Sequence, residues 1–452
     1  MMKSVNPATG EEIATFEELT PEQIEAKLAK AAEAFAHWRT TGLDQRAALL
    51  SRIADRYDAN KDRLARTITQ EMGKTLKAAQ AEIAKCAAAF RYYAEEGPRL
   101  LAPQRHRLAN GREAEVHLLP HGPVLAIMPW NFPFWQAVRF IAPAIMAGNV
   151  GLLKHASIVQ GCAALLEEMV TAAGAPEGLF QNLPVKSGAV AGIIADPRIV
   201  AATLTGSEGA GASVAEQAGR HLKKVVLELG GSDPFIVMPS ADLDAAVKAA
   251  VTARVQNTGQ SCICGKRMIV HADIYDAFVE RFTEAMLAVK AGDPTDEATD
   301  IGPLSSQEQL DTVLEQIEEA RQVGATLVGG EKIGTTGAFI SAGVLTGVPI
   351  DSHVAQEEIF GPIAMLFRAA DIDDAIRIAN DVPFGLGSSV WTQDESEQRR
   401  FIAGIEAGMT AINQILASSP EVPFGGIKKS GHGRELGYEG LHEFTNMKTV
   451  LL

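Results

Sequence analysis

The chain has 452 residues, of which 46% are apolar and 21% charged, and a formal net charge of −15. That length exceeds what one hydrophobic core organises, so two or three domains are expected, while the acidic balance argues against nucleic acid or an anionic membrane as partner. No apolar run reaches the ~18–20 residues of a membrane-spanning helix; the most apolar stretch, 140–153, is broken by Pro143, Gly148 and Asn149.

The first residues, Met1 to Pro7, lack the apolar segment of a secretory leader. The four cysteines (Cys86, Cys162, Cys262, Cys264) form no spaced framework, which suits a reducing, cytoplasmic setting. Thr20-Pro21-Glu22-Gln23 reads as a helix start, with a capping hydroxyl, proline in the first turn and an acid behind it. Apolar residues then recur at three and four to about Glu96, which predicts helices. Two short strand-like segments, 105–109 and 112–118, flank Asn110-Gly111, and that pair predicts a two-residue hairpin turn. The hairpin has no core face of its own and is expected to be an arm.

From 122 to 237 short β runs alternate with helical stretches: strands at 122–128, 150–154, 199–205 and 225–229. The alternation predicts a parallel, doubly wound α/β sheet with ligands at the strand C-termini. A second α/β block is expected from about 230 to 417, with strands at 235–238, 266–270, 326–328 and 363–367. The tail, 449–452, is expected to add a strand to another chain.

Three segments carry chemistry. Asn257-Thr258-Gly259-Gln260-Ser261-Cys262 is a polar, glycine-containing approach to a thiol. A buried small hydrophobe is the ordinary role of a cysteine, but this setting predicts an exposed turn with a lowered thiol pKa. Glu228, at the end of an apolar run before Leu229-Gly230-Gly231, is either a capping carboxylate or a general base. Asn131, inside Pro129-Trp130-Asn131-Phe132-Pro133, is either a turn residue or an oxyanion donor. Thr205-Gly206-Ser207-Glu208-Gly209-Ala210-Gly211 joins a strand to a helix, as a tight turn or as a phosphate cradle.

Together these segments, with Asn6-Pro7-Ala8-Thr9-Gly10, Glu357-Glu358-Ile359-Phe360-Gly361-Pro362 and Pro423-Phe424-Gly425-Gly426-Ile427-Lys428, resemble the aldehyde dehydrogenase superfamily over almost the whole chain. The resemblance implies a dinucleotide-binding domain (1–101 and 121–229), a catalytic domain (230–428) and an oligomerisation element (102–120 and 429–452), assembled as a homodimer or homotetramer. It implies that Cys262 attacks an aldehyde, that Asn131 holds the oxyanion, and that Glu228 activates the water that hydrolyses the thioester. Members that transfer the acyl group to coenzyme A generally lack that carboxylate, so Glu228 favours the acid-forming branch. It implies cofactor contacts from Trp130, Lys154, Ser157, Gly206, Ser207, Leu229, Glu358 and Phe360, and no metal.

Within the family the likeness is to succinate-semialdehyde dehydrogenases. It implies that Arg139 and Ser419 hold the far carboxylate of the substrate; other small acidic aldehydes, such as glutarate semialdehyde, are the alternative. A second arginine often found six residues before the cysteine is Gln256 here. The Cys-x-Cys pair implies Cys264 as a resolving partner in reversible oxidation, against a small buried residue pointing away. Ser157 stands where NAD-using relatives usually carry a glutamate, which implies NADP as cofactor with NAD a poorer one.

Overall fold

A computed structural model describes residues 1–452. Helices Pro21–Trp38, Leu43–Ala59, Lys61–Met72 and Leu76–Leu100 follow a short N-terminal hairpin, Met2–Val5 with Glu12–Phe16. The first helix starts as its sequence predicts. The Gln23 amide N–H donates to the Thr20 hydroxyl at 3.3 Å, and the Gln23 side-chain oxygen accepts from Thr20 N–H at 2.8 Å. Such a reciprocal cap satisfies two donors the helix cannot satisfy internally.

Two parallel-rich sheets follow. The first runs, edge to edge, Gly431–His432, Lys224–Glu228, Ala201–Thr205, Pro123–Met128, Val150–His155, Phe180–Asn182. All its pairings are parallel except the outermost one to Gly431–His432. The second runs Thr326–Gly329, Gly343–Thr346, Ile363–Ala369, Arg267–His271, Pro234–Val237, Ser389–Trp391, Ala411–Ile412, antiparallel only at the first pair. Every strand expected from the sequence is present. Of those not expected, Phe180–Asn182, Ser389–Trp391 and Gly431–His432 have two or three residues each, too short to leave a periodic signal, while Met2–Val5, Glu12–Phe16 and Gly343–Thr346 are longer and were missed.

One expectation changes. The Asn110-Gly111 hairpin closes not with a two-residue turn but around Ala109-Asn110-Gly111: Gly111 N–H donates to Leu108 O at 2.9 Å, and Leu108 N–H to Arg112 O at 2.8 Å. Gly111 takes φ 82°, the left-handed residue that lets a type I turn close a three-residue loop. The C-terminal tail forms a strand on its own chain's hairpin, at the edge of the arm. Thr445–Leu451 lies antiparallel on Glu113–Pro120 and completes a three-stranded arm with Gln104–Arg107. No helix is long and apolar enough to cross a membrane.

A buried ion pair ties the N-terminal helices to the loop 129–133. Lys74 pairs with Glu82, both nearly fully buried. Glu82 Oε1 also accepts the N–H groups of Phe134 (2.9 Å) and Trp135 (3.0 Å), at the start of helix Trp135–Ala147. Lys74 lies 3.7 Å from the Phe132 ring centroid. Removing either partner leaves a buried charge unpaired, at a cost of about 3–5 kcal/mol.

Candidate active site

Cys262 sits on a loop whose shape its sequence imposes. Asn257 and Thr258 adopt φ of 52° and 55°, and Gly259 φ 76°. A side chain at Gly259 would collide with the Gly361 carbonyl, so both the dihedral and the close approach require glycine. The buried Arg254 guanidinium fastens the loop to its neighbour by donating to Gly259 O (3.0 Å), Ile359 O (3.2 Å) and Gly361 O. Lys266 holds the other side, donating to Ser261 O and Cys262 O, each at 2.7 Å, and pairing with Glu358 at 2.9 Å. One lysine therefore links the nucleophile loop to Glu358.

Cys262 is half-buried on the wall of a cavity of about 390 Å³. Trp130, Asn131, Gly206, Ser207, Leu229, Glu358 and Phe360 share that wall, which brings eight of the expected site residues around one space. Burial pushes the Cys262 thiol up to about 12, partly offset by the positive charges of Arg139 and Lys266. The lowered thiol pKa expected from the sequence is thus not found, because desolvation outweighs both cations. Asn131 is held by its own loop: Oδ1 accepts Phe132 N–H (3.1 Å) and Gln136 Nε2–H (3.3 Å), and Nδ2 donates to Gln260 O at 3.1 Å. An amide nitrogen carries two N–H groups, so one remains for the cavity.

Glu228 ends strand Lys224–Glu228 with 2% exposure, and neither carboxylate oxygen has a hydrogen-bond partner. Gly425 makes room for it; a Cβ there would lie 2.5 Å from Oε1. Burial, then the neighbouring Glu435, push its carboxyl well above the usual range, against Arg139 and Arg434. A capping role is excluded by the unpartnered oxygens. Glu228 itself is not among the residues that line the cavity, but its neighbour Leu229 is, and an unsatisfied, proton-avid carboxyl there can serve as a base.

Trp130, Lys154, Ser157, Gly206, Ser207 and Leu229 lie at or just past the C-terminal ends of strands of the first sheet, as the doubly wound pattern predicts, while Glu358 and Phe360 come from the segment before Ile363–Ala369 of the second. Ser207 caps helix Glu208–Arg220, its hydroxyl accepting Ala210 N–H at 3.4 Å. Gly206 N–H donates to Glu228 O at 3.0 Å. Lys154 lies near the end of its strand and Ser157 opens the short helix that follows. Lys154 makes no ion pair, and burial depresses its amine. Trp130 and Phe360 meet edge to face with centroids 5.7 Å apart. Four cavity residues escaped the sequence reading: Gln136, and Gln309, Thr312 and Gln316 on helix Gln307–Gln322. The three- and four-residue spacing of that helical trio was the available signal. Gln309 donates to Phe360 O at 3.0 Å and Gln316 to Glu358 O at 3.3 Å, bracing that loop.

Three other expectations meet different surroundings. Arg139 does not face the cavity: it is 2% exposed, its Nε lies 2.8 Å from Glu435 Oε2, and its guanidinium covers the Phe424 ring at 4.4 Å. Helix Trp135–Ala147 is buried on every side, so counting turns from Asn131 could not show which side its arginine takes. Ser419 gives its hydroxyl to Glu421, while its neighbour Ser418 turns to Lys85 and Trp135. Cys264 is fully buried with Sγ directed at Gln256 O, 3.6 Å away, and both cysteines are free thiols.

The chain as a whole has counterparts among known proteins. Residues 1–450 match the aldehyde dehydrogenase family. The succinate-semialdehyde dehydrogenase [NADP(+)] 1 of Mycobacterium tuberculosis (strain H37Rv) is 54% identical over 450 residues, covering 99% of this chain and 98% of the relative. The succinate-semialdehyde dehydrogenase [NADP(+)] of Mycolicibacterium paratuberculosis is 54% identical over 451 residues, covering 99% and 96%. The crystal structure of the Streptococcus pyogenes succinic semialdehyde dehydrogenase in complex with NADP+ superposes with a TM-score of 0.98 at 38% identity, covering 100% of both chains. With its family match spanning nearly every residue, the chain belongs to the aldehyde dehydrogenase family.

Proposed function

We propose that the chain oxidises succinate semialdehyde to succinate with NADP as the hydride acceptor. The observation that carries this reading is Cys262 and Asn131 on the wall of one cavity, with the unpartnered Glu228 carboxyl ending the strand that leads into the wall residue Leu229, in a chain so close to enzymes of that name. The residues fit the cofactor. The first-turn N–H groups of the 13-residue helix after Ser207 that the Ser207 hydroxyl does not take suit a pyrophosphate. An unpaired Lys154 and the Ser157 hydroxyl suit a ribose phosphate, with no carboxylate at 157 to repel it. Trp130, Leu229, Glu358 and Phe360 line the approach to the sulfur.

The Cys262 thiol gives up its proton to water, Sγ forms a bond to the aldehyde carbon, and the carbonyl π pair moves to the oxygen, which takes the negative charge. The free Asn131 Nδ2–H and the Cys262 backbone N–H donate to that oxyanion, an arrangement worth about 3–4 kcal/mol per donor in comparable sites. NADP held by Lys154, Ser157, Ser207, Glu358 and Phe360 would supply the acceptor for the hydride that leaves this carbon. The acyl group is then a thioester on Cys262. Glu228 removes a proton from a water whose oxygen attacks the thioester carbon; the C–S bond breaks, the thiolate leaves, and the carboxylate product departs.

Gln256 in place of a second arginine keeps other small acidic aldehydes, such as glutarate semialdehyde, as the second reading. Reduced-nicotinamide absorbance with a panel of aldehydes and both cofactors tests it: the highest kcat/KM is expected for succinate semialdehyde with NADP. Ser157→Glu should move the cofactor ratio toward NAD, and a wild type using both equally, with the ratio unmoved in the variant, overturns the cofactor assignment. The arm, with Met447 and Leu451 each 70% exposed, supports assembly into a homodimer or homotetramer, which light scattering reads as a multiple of the chain mass.

A further inference from the structure

We propose that Lys266 strengthens the oxyanion site from behind: its ammonium polarises the Ser261–Cys262 peptide, whose N–H is the backbone donor to the oxyanion. This rests on the oxyanion reading above and adds a positioning residue to it.

A planar trans peptide points its C=O and its N–H in opposite directions, and the chain has no cis peptide. The Ser261 carbonyl accepts twice, from Lys266 Nζ at 2.7 Å and from Cys264 N–H at 3.1 Å. At the other end of the same peptide, the Cys262 N–H finds no acceptor elsewhere in the chain, on a residue that lines the cavity. One end of the unit is therefore saturated by donors, and the other is a donor left free. A hydrogen bond accepted at one end of a peptide strengthens the bond given at the other. An ammonium does this more than a neutral donor, because it brings a full charge to the oxygen.

Fastening the loop does not call for this lysine. Arg254 already anchors the Gly259 carbonyl. The Gln260 carbonyl, one peptide before Ser261, is held by the neutral side-chain amides of Asn131 and Asn257 at 3.1 and 3.0 Å. Neutral donors suffice there. Lys266 is fully buried, and burying an ammonium is costly unless its donors are met and its charge is paired. Its three donors go to Ser261 O, Cys262 O and Glu358, the last an ion pair at 2.9 Å. The fold thus places a buried, neutralised cation on the one peptide of the loop whose N–H is to meet negative charge.

The test compares Glu358→Gln with the double variant Lys266→Met/Glu358→Gln, so that no carboxylate is left buried without its partner. The first readout is kcat/KM for succinate semialdehyde divided by the rate of Cys262 alkylation by iodoacetamide at the same pH. Alkylation uses the same thiolate but attacks a saturated carbon and builds no oxyanion, so the quotient cancels any change in the thiol itself. It should fall about three- to tenfold in the double variant. The second readout is the infrared carbonyl band of the acyl-enzyme, trapped by adding Glu228→Gln and labelled at the carbonyl carbon of the aldehyde. Lys266→Met should move the band to higher wavenumber, as a carbonyl does when its donors weaken. Should the double variant fail to accumulate, Lys266→Gln/Glu358→Gln reads both quantities. An unchanged quotient or an unmoved band overturns the proposal. Asn131→Ala separates the two ideas: if it moves the band and Lys266→Met does not, only the role of Lys266 falls, and if neither moves it, the oxyanion reading falls too.

Discussion

Alkylation of Cys262 by iodoacetamide should be slow at neutral pH and climb steeply with alkali. The other three thiols are buried, so one equivalent reacts and Cys262→Ala should be silent. With the thiol pushed up to about 12, roughly one molecule in ten thousand is a thiolate at pH 8, against about a quarter for an ordinary cysteine at ~8.5. The more basic thiolate is intrinsically the better nucleophile; a Brønsted slope of ~0.4–0.5 recovers roughly 25- to 50-fold. The net expectation is a rate about 50- to 100-fold below that of an accessible thiol. Stopped aliquots analysed by intact-protein mass spectrometry give the rate, which should rise about tenfold per pH unit well beyond pH 9, where a free cysteine levels off. A plateau near pH 9 at the rate of a model thiol would show that Arg139 and Lys266 win over burial, and the account of the resting site would fail.

Glu228→Gln should give a burst of about one equivalent of reduced cofactor followed by turnover at least a hundredfold slower; full steady-state turnover would remove its role as base. Because burial and Glu435 raise the Glu228 carboxyl, kcat should fall with acid already above the ordinary carboxylate range, and Glu435→Gln should move that limb to lower pH; a limb unmoved by that change would mean Glu435 does not set it. Peroxide should inactivate in a way dithiothreitol reverses, but Cys264 must first turn away from Gln256 O; peptide mapping that finds no Cys262–Cys264 bond removes the pairing. His155 is buried, with Nε2–H donating to Pro133 O at 2.8 Å and Nδ1 accepting Ala156 N–H at 2.9 Å, and burial lowers it from 6.5 to about 4. The unfolded chain therefore binds this proton first, so stability fully present above pH 6.5 is lost as pH falls toward about 4, on the order of 3 kcal/mol; urea melts should show a shallower acid slope in His155→Gln, and an identical slope would exclude it.

What was legible in the sequence was whatever rests on local rules. The Thr20 cap, the strands that carry Glu228 and Lys154, and the strand-to-helix turn at Ser207 follow from short-range patterns that the folded chain keeps. The left-handed run through Asn257 and Thr258 sits where the polar approach to Cys262 had already denied a core strand. The two- and three-residue strands lay below the length at which alternation can be seen. The hairpin loop turned on which residue pairs closed it, a choice the Asn110-Gly111 pair alone does not determine.

The charges at the site were legible as residues and not as pairs. Arg139 reads from its position as a carboxylate binder, and so it is, but the carboxylate is Glu435, which arrives from nearly three hundred residues away on the segment that also brings Gly431 to the strand of Glu228. Once that pair forms, the positive charge Arg139 would offer a substrate is largely spent. A guanidinium that neutralises Glu435 still lowers the Cys262 thiol and opposes the rise at Glu228, so it acts on both halves of the reaction without touching the aldehyde. Spacing along a chain can say that a cation is near a site; only the fold decides which anion it meets first. For that reason the specificity of this enzyme is better sought in the donors that remain unpaired after folding than in those a linear comparison aligns.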